Sequence, residues 1–293
     1  MASLKEVKNR IASVKNTRKI TSAMKMVASS KLHHACLAIE RMRPYESQLK
    51  QILQRFIVAS EGQIYTPFAQ QREVKNVALV LITSNSSLCG AFNSNAIKAF
   101  HKKIESYREH HIHIPTVVAI GKKAAEAVRK AGFKDVIDNA TLLEHPSYAA
   151  AADIASSLMM AYTAQSIDKV DLIYHHFKSA SSQILQQDVY LPLDLSKHHR
   201  QENDASSNHT LDYIIEPNAQ TIAKKLIPLS LHLSLFTAVL DSVASEHAAR
   251  VIAMQTATDN ADDLLQELNL TYNKTRQQAI TAELLDIVGG SLK

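Results

Sequence analysis

The chain has 293 residues, 46% apolar and 21% charged, with a formal net charge of +5, which predicts about two domains and excludes a disordered or fibrous composition. Its longest apolar stretches are broken by charge before the ~20 residues of a membrane span, and its basic start has no apolar run behind it, so neither a membrane anchor nor a secretory leader is expected. Cys36 and Cys89 stand far apart and in no C-x-x-C pair, which excludes a disulfide framework and a thiolate zinc site and suits a reducing compartment.

Residues 1–61 contain no glycine and read as one long helix. Ser3 and Glu6 form an S-x-x-E capping box at its start, and Gly62 stands where a C-terminal cap belongs. A seam repeats every seven residues through Val7, Val14, Thr21, Ala28, Ala35, Met42, Leu49 and Phe56, the period of a left-handed supercoil with a partner. Leu4 and Ile11 lie three residues before seam positions, whereas Ala38, Tyr45 and Ile52 lie three after, so the buried face is expected to rotate along the helix. Pro44 is expected to kink or break it.

From residue 74 the period shortens. Residues 77–83 (VALVLIT), 116–120 (TVVAI) and 170–177 (VDLIYHHF) are apolar runs, and the first two lead through Gly or Ser into helical segments, as in βα units of a parallel sheet. Residues 183–193 add an edge strand ending at Pro192. The expected organisation is an N-terminal helix over 1–61, a Rossmann-like α/β domain over 74–193, a polar loop over 194–210 and a C-terminal helix over 211–290.

In that last helix Leu226, Leu233, Leu240, His247, Met254, Ala261 and Leu268 again repeat every seven residues, with Leu229, Phe236, Val243, Ala257 and Leu264 beside them. Pro228 is expected to delay the regular helix, and Gly289-Gly290 to stop it. Residues 1–31 hold eight basic side chains and one acid, and residues 241–293 hold eight acids and four bases. Opposite charge on two narrow apolar stripes predicts that the terminal helices pair as a long antiparallel coiled coil, although each exposed ion pair contributes only ~0.5 kcal/mol.

No catalytic constellation, cofactor fingerprint or metal-ligand spacing stands out. The loop 84–90 (SNSSLCG) follows a strand, where open α/β sheets bind ligands, but it has neither G-x-G-x-x-G nor a Walker pattern and reads as a structural turn. Gly121-Lys122-Lys123 likewise reads as a helix start. Cys89 reads as a packed thiol. Histidines pair or cluster at 33–34, 110–113, 175–176 and 198–199 without metal spacing, and read as solvated surface groups.

Residues 11–32 (IASVKNTRKITSAMKMVASSKL), Arg43-Pro44-Tyr45, Leu88-Cys89-Gly90 and the stretch 245–289 together resemble the gamma subunit of F-type ATP synthases. The resemblance implies a non-catalytic central shaft made of the paired terminal helices, with the α/β domain as its foot. It implies one copy per complex, with a hexamer of alpha and beta subunits around the tip and the epsilon subunit and c-subunit ring at the foot. It places Met24 and Arg250 at a swivel past beta-subunit loops, and Arg276, Gln277, Thr281 and Glu283 where the upper shaft is gripped. Ile280, Leu284, Leu285, Ile287 and Val288 form an apolar tip beyond what the shorter first helix can bury, suited to a collar that lets it turn. The implied coupling ion is the proton or another ion, and no nucleic acid, metal or cofactor is implied. Where the family usually reads S-T-D-R-G-L-C-G, Asn85-Ser86-Ser87 replaces the charged pair and the first glycine. With no transit peptide before Met1 and no extra cysteine pair for thiol regulation, the expected location is the cytoplasmic side of a bacterial inner membrane, bound peripherally and not inserted. The alternative is a coiled-coil adaptor or RNA-binding arm on an α/β domain; an α/β enzyme with helical extensions would instead bind a ligand at the loop 84–90.

Overall fold

A computed structural model describes residues 3–59, 65–133, 136–193, 216 and 218–291. The polar loop expected over 194–210 and the glycine at 62 lie outside them. Helix α1 is Leu4–Ala59. Its start is capped as the S-x-x-E pattern predicts, with the Glu6 backbone N–H donating to Ser3 Oγ at 3.2 Å. The α/β region then runs β1 (Asn76–Ile82), α2 (Phe92–Glu109), β2 (His113–Ile120), α3 (Lys122–Lys130), β3 (Val136–Asp138), α4 (Thr141–Glu144), α5 (Tyr148–Thr163), β4 (Lys169–Ser179) and β5 (Ser182–Leu191). Helix α6, Ala219–Ser291, completes the order. Asn218 caps it, its Oδ1 accepting from the Thr221 N–H at 2.8 Å.

The chain divides into two compact units, one of residues 31–249 and one of residues 1–30 with 250–293. The larger holds a five-stranded sheet in the order β3-β2-β1-β4-β5. β1 pairs in parallel with β2 and β4, as β2 does with β3, and β5 closes one edge antiparallel to β4. β1 is apolar from Val77 to Ile82 because both its faces are covered. Val77, Leu79 and Leu81 face α2 and α3 through Phe100, Ile104 and Val128. Ala78, Val80 and Ile82 belong to the opposite core, which includes Leu158 of α5, Leu49 and Leu53 of α1, and Leu231, Leu235 and Val239 of α6.

Several local expectations are revised. Pro44 does not break α1 and Pro228 does not delay α6, since both sit inside continuous helices. One proline removes a single ladder bond and costs about 3 kcal/mol, which the apolar packing of Leu49, Leu53, Ile227 and Leu231 offsets. α6 also runs through Gly289 and Gly290, since glycine weakens a helix by ~1 kcal/mol without forbidding it. The buried face of α1 in the larger unit runs through Ile39, Leu53 and Ile57, while Tyr45 and Ile52 are 50% and 54% exposed. Ala38 packs on this core three residues after the seam as expected, whereas Ile39 and Leu53 lie four after it, as a 3.6-residue helix drifts against a seven-residue repeat. α6 contains an 18-residue window long and apolar enough to cross a membrane, but 67% of it is buried inside the protein. From Leu235 to Glu246 nearly every side chain is buried, the polar Asp241, Ser242, Ser245 and Glu246 included, which makes this stretch a core helix.

Candidate partner-binding surface

In the smaller unit the two terminal segments run antiparallel. Thr21 and Thr258 bring their hydroxyls to 2.8 Å, and Arg18 Nε meets Asp262 Oδ1 at 2.7 Å. Val7 and Ala28 are buried on one helix and Met254, Ala261 and Leu268 on the other. The small seam residues let the backbones approach closely, and the basic and acidic helices meet in the Arg18–Asp262 pair as their charges predict.

Beyond Leu268 the burial stops. Ile280, Leu284, Ile287 and Val288 follow the i, i+4, i+7, i+8 spacing of one helical face, and with Leu285 they are 48–68% exposed. Arg276, Gln277, Thr281 and Glu283 are exposed on the same stretch. Thr281 Oγ1 donates back to the Gln277 carbonyl at 2.9 Å, which leaves the rest of both polar groups outward. Met24 is half-buried. Arg250 is buried, at 9% exposure, and is not an ordinary solvated position. Beside Met24 on α1, Ile20, Met26 and Val27 are exposed apolar residues off the heptad seam; a scan for large apolar side chains outside the seam would have flagged them.

The loop 84–90 is a turn closed on itself. Ser84 Oγ donates to the Ser86 carbonyl at 2.6 Å, and Asn93 Oδ1 accepts from the Ser84 N–H at 3.0 Å. Asn85, one of the residues that departs from the resembled pattern, donates to the Ala140 carbonyl at 2.9 Å and accepts from the Lys122 N–H at 3.0 Å. Cys89 is buried, with Asn93 Nδ2 at 3.2 Å from its sulfur. Gly121 has φ +111°, and a Cβ there would lie 2.7 Å from the Thr83 carbonyl oxygen, so its glycine serves backbone packing and not a phosphate cradle.

The histidines are not uniformly solvated. His33, His34, His110, His111 and His113 are exposed, and 198–199 lie outside the described residues. His175 and His176 alternate across β4, so their rings face opposite sides of the sheet. The His175 ring stacks on Phe92 at 4.3 Å, and burial pushes it down to about 4. His176 Nδ1 lies 2.5 Å from Asp241 Oδ2 of α6. Among the described residues no His, Cys, Asp or Glu cluster could hold a metal ion.

A sequence model of the family described as ATP synthase matches residues 3–292. The chain belongs to the ATP synthase gamma-chain family. The ATP synthase gamma chain of Phocaeicola vulgatus is 51% identical over 292 residues, and that of Bacteroides fragilis 54% over 292, each match covering 100% of both chains. A chain in the Tetrahymena thermophila mitochondrial ATP synthase central stalk and c-ring structure superposes with a TM-score of 0.59 at 26% identity, covering 81% of this chain and 99% of that one. The gamma chain is the non-catalytic, rotary central stalk of a membrane-associated complex. Membership therefore sets aside the free-standing adaptor, the RNA-binding arm and the α/β enzyme, and makes the exposed tip and the Met24 region the surfaces of interest.

Proposed function

We propose that this chain is the rotor shaft of a bacterial F-type ATP synthase driven by protons or another ion, one copy per complex, carrying torque between the c-subunit ring and the alpha/beta hexamer. Residues 1–61 and 211–290 make the shaft, and the α/β body over 74–193 is the foot that joins the epsilon subunit and the ring. The assembly sits peripherally on the cytoplasmic side of the inner membrane. One observation carries this reading: an antiparallel helix pair whose longer member ends in a bare apolar stripe from Ile280 to Val288. Apolar contact is non-directional, so a collar of hexamer side chains would hold the stripe while letting it turn.

Rotation becomes chemistry if the shaft's faces differ. A contact shifts a site's equilibrium only by its differential affinity for two conformations, and a shaft with Met24 and Arg250 on it and Arg276, Gln277, Thr281 and Glu283 near its end meets three equivalent catalytic sites unequally. The test is an engineered cysteine at Leu285, crosslinked to the hexamer before and after ATP hydrolysis. The expected result is redistribution of the crosslink among the three beta subunits; a crosslink confined to its starting subunit during turnover overturns the rotor reading.

A further inference from the structure

A shaft that carries torque must not slip on its foot. Within the larger unit, α1 and α6 lie over one face of the sheet through a large apolar cluster, and the α6 seam there repeats as Leu226, Leu233 and Leu240. A repeat of like apolar residues allows a helix to shift by one repeat and regain similar contacts, whereas a single polar pair has one solution. Apart from Tyr190 of β5, whose hydroxyl donates to the Leu231 carbonyl at 2.8 Å, the polar contacts across this interface fall on three consecutive residues of β4. Asp241, at 4% exposure, holds His176 Nδ1 at 2.5 Å, a contact that is ionic when the ring is protonated. The His175 backbone donates to Ser242 Oγ at 3.2 Å and accepts from Ser245 Oγ at 3.3 Å. From the other helix the Arg43 guanidinium donates to the Phe177 carbonyl at 3.1 Å.

This arrangement is poorly explained as stabilisation. Burial pushes the Asp241 carboxyl up, and the His176 ring only partly reverses it. Asp241 Oδ1 is buried without a hydrogen-bond partner, beside a cavity of about 170 Å³ that Arg43, Glu46 and Tyr174 also line. Replacing such a buried polar pair by apolar residues is commonly neutral or stabilising, and its best-attested use is to fix register. We propose that His176 and Asp241 are positioning residues, a pin that fixes the rotational and axial register of α6 on β4, with Arg43 doing the same for α1, so that torque passes between sheet and helices without slip.

The proposal rests on the rotor reading. Its test uses the whole ATP synthase in vesicles and compares three variants: the apolar pair His176→Leu with Asp241→Leu, the neutral hydrogen-bonding Asp241→Asn, and the swap His176→Asp with Asp241→His. The expected result for the apolar pair is ATP hydrolysis within about twofold of the parent and an unchanged melting temperature, with ion pumping per ATP reduced at least threefold. Asp241→Asn and the swap should pump normally. Parental pumping in the apolar pair overturns the proposal, as does a fall in pumping matched by an equal fall in thermal stability across the three variants. Failure of the rotor reading is separable, because it appears in the parent complex as a tip crosslink that does not move.

Discussion

Single residues carry three expectations. Met24 is half-buried, while the seam beside it runs through Thr21 and Ala28, so Met24→Lys should leave the melting curve nearly unchanged and lower ion pumping per ATP; normal pumping removes Met24 from the swivel. Gly121→Ala places a Cβ 2.7 Å from the Thr83 carbonyl oxygen and 2.9 Å from Leu143 Cδ1, at φ +111°, and should cost roughly 2–3 kcal/mol in denaturant unfolding. His175, held down to about 4 by burial, is neutral in the folded chain where the unfolded chain already binds a proton. Stability should therefore fall as pH drops from about 6.5 to 4, by at most about 3 kcal/mol, and His175→Gln should flatten that slope. Its burial was not readable from the His-His dipeptide, because composition marks histidine as polar and only strand pairing shows that one ring of the two faces Phe92.

At the scale of elements, periodicity carried most of the information. The seven-residue seam of α1 is buried or half-buried at every position from Val7 to Phe56, and β1 was plain as a continuous apolar run. β3 has three residues and α5 is mainly alanine, serine and methionine, too short or too weakly patterned to stand out. The regular seam of α6 predicts a narrow apolar stripe, yet in its middle Asp241, Ser242, Ser245 and Glu246 are all buried as well. Sequence patterning cannot distinguish water from β4 as the partner of Asp241, which meets the His176 ring, or of Ser242 and Ser245, which meet the His175 backbone. Leu79→Ala, at the centre of β1 with no exposed surface, should cost about 3 kcal/mol in a denaturation midpoint. Asp262→Ala, which breaks a half-exposed pair, should cost about 0.5 kcal/mol or less, so the charge match between the terminal helices sets their orientation more than their strength.

For the whole molecule, the apolar stripe near the C-terminus is the feature whose loss separates assembly from folding. Truncation before Ile280 removes a stretch whose described side chains, 280–288, are all exposed, so the remaining chain should melt as the full chain does. Its yield in complexes with alpha and beta subunits should fall severalfold, and nucleotide affinity of isolated beta subunits should not change; an undiminished yield would show that the stripe is not a binding surface. The partner surface was legible as composition, since nothing in the shorter first helix matches it, but the exposed Ile20, Met26 and Val27 cluster was not. Those side chains fall outside the heptad positions, and only the packed pair shows which way they point.

The Thr21–Thr258 contact joins positions 237 residues apart. A ribosome therefore finishes the strip that pairs with Val7 and Ala28 long after those residues have left it, and loop-closure entropy keeps so distant a pairing slow. Until then the first helix must wait with its apolar side bare, in water or in the care of a chaperone. Nascent chains stalled before Arg250 should thus expose a protease-sensitive N-terminal segment, and release of the completed polypeptide should protect it in one late step.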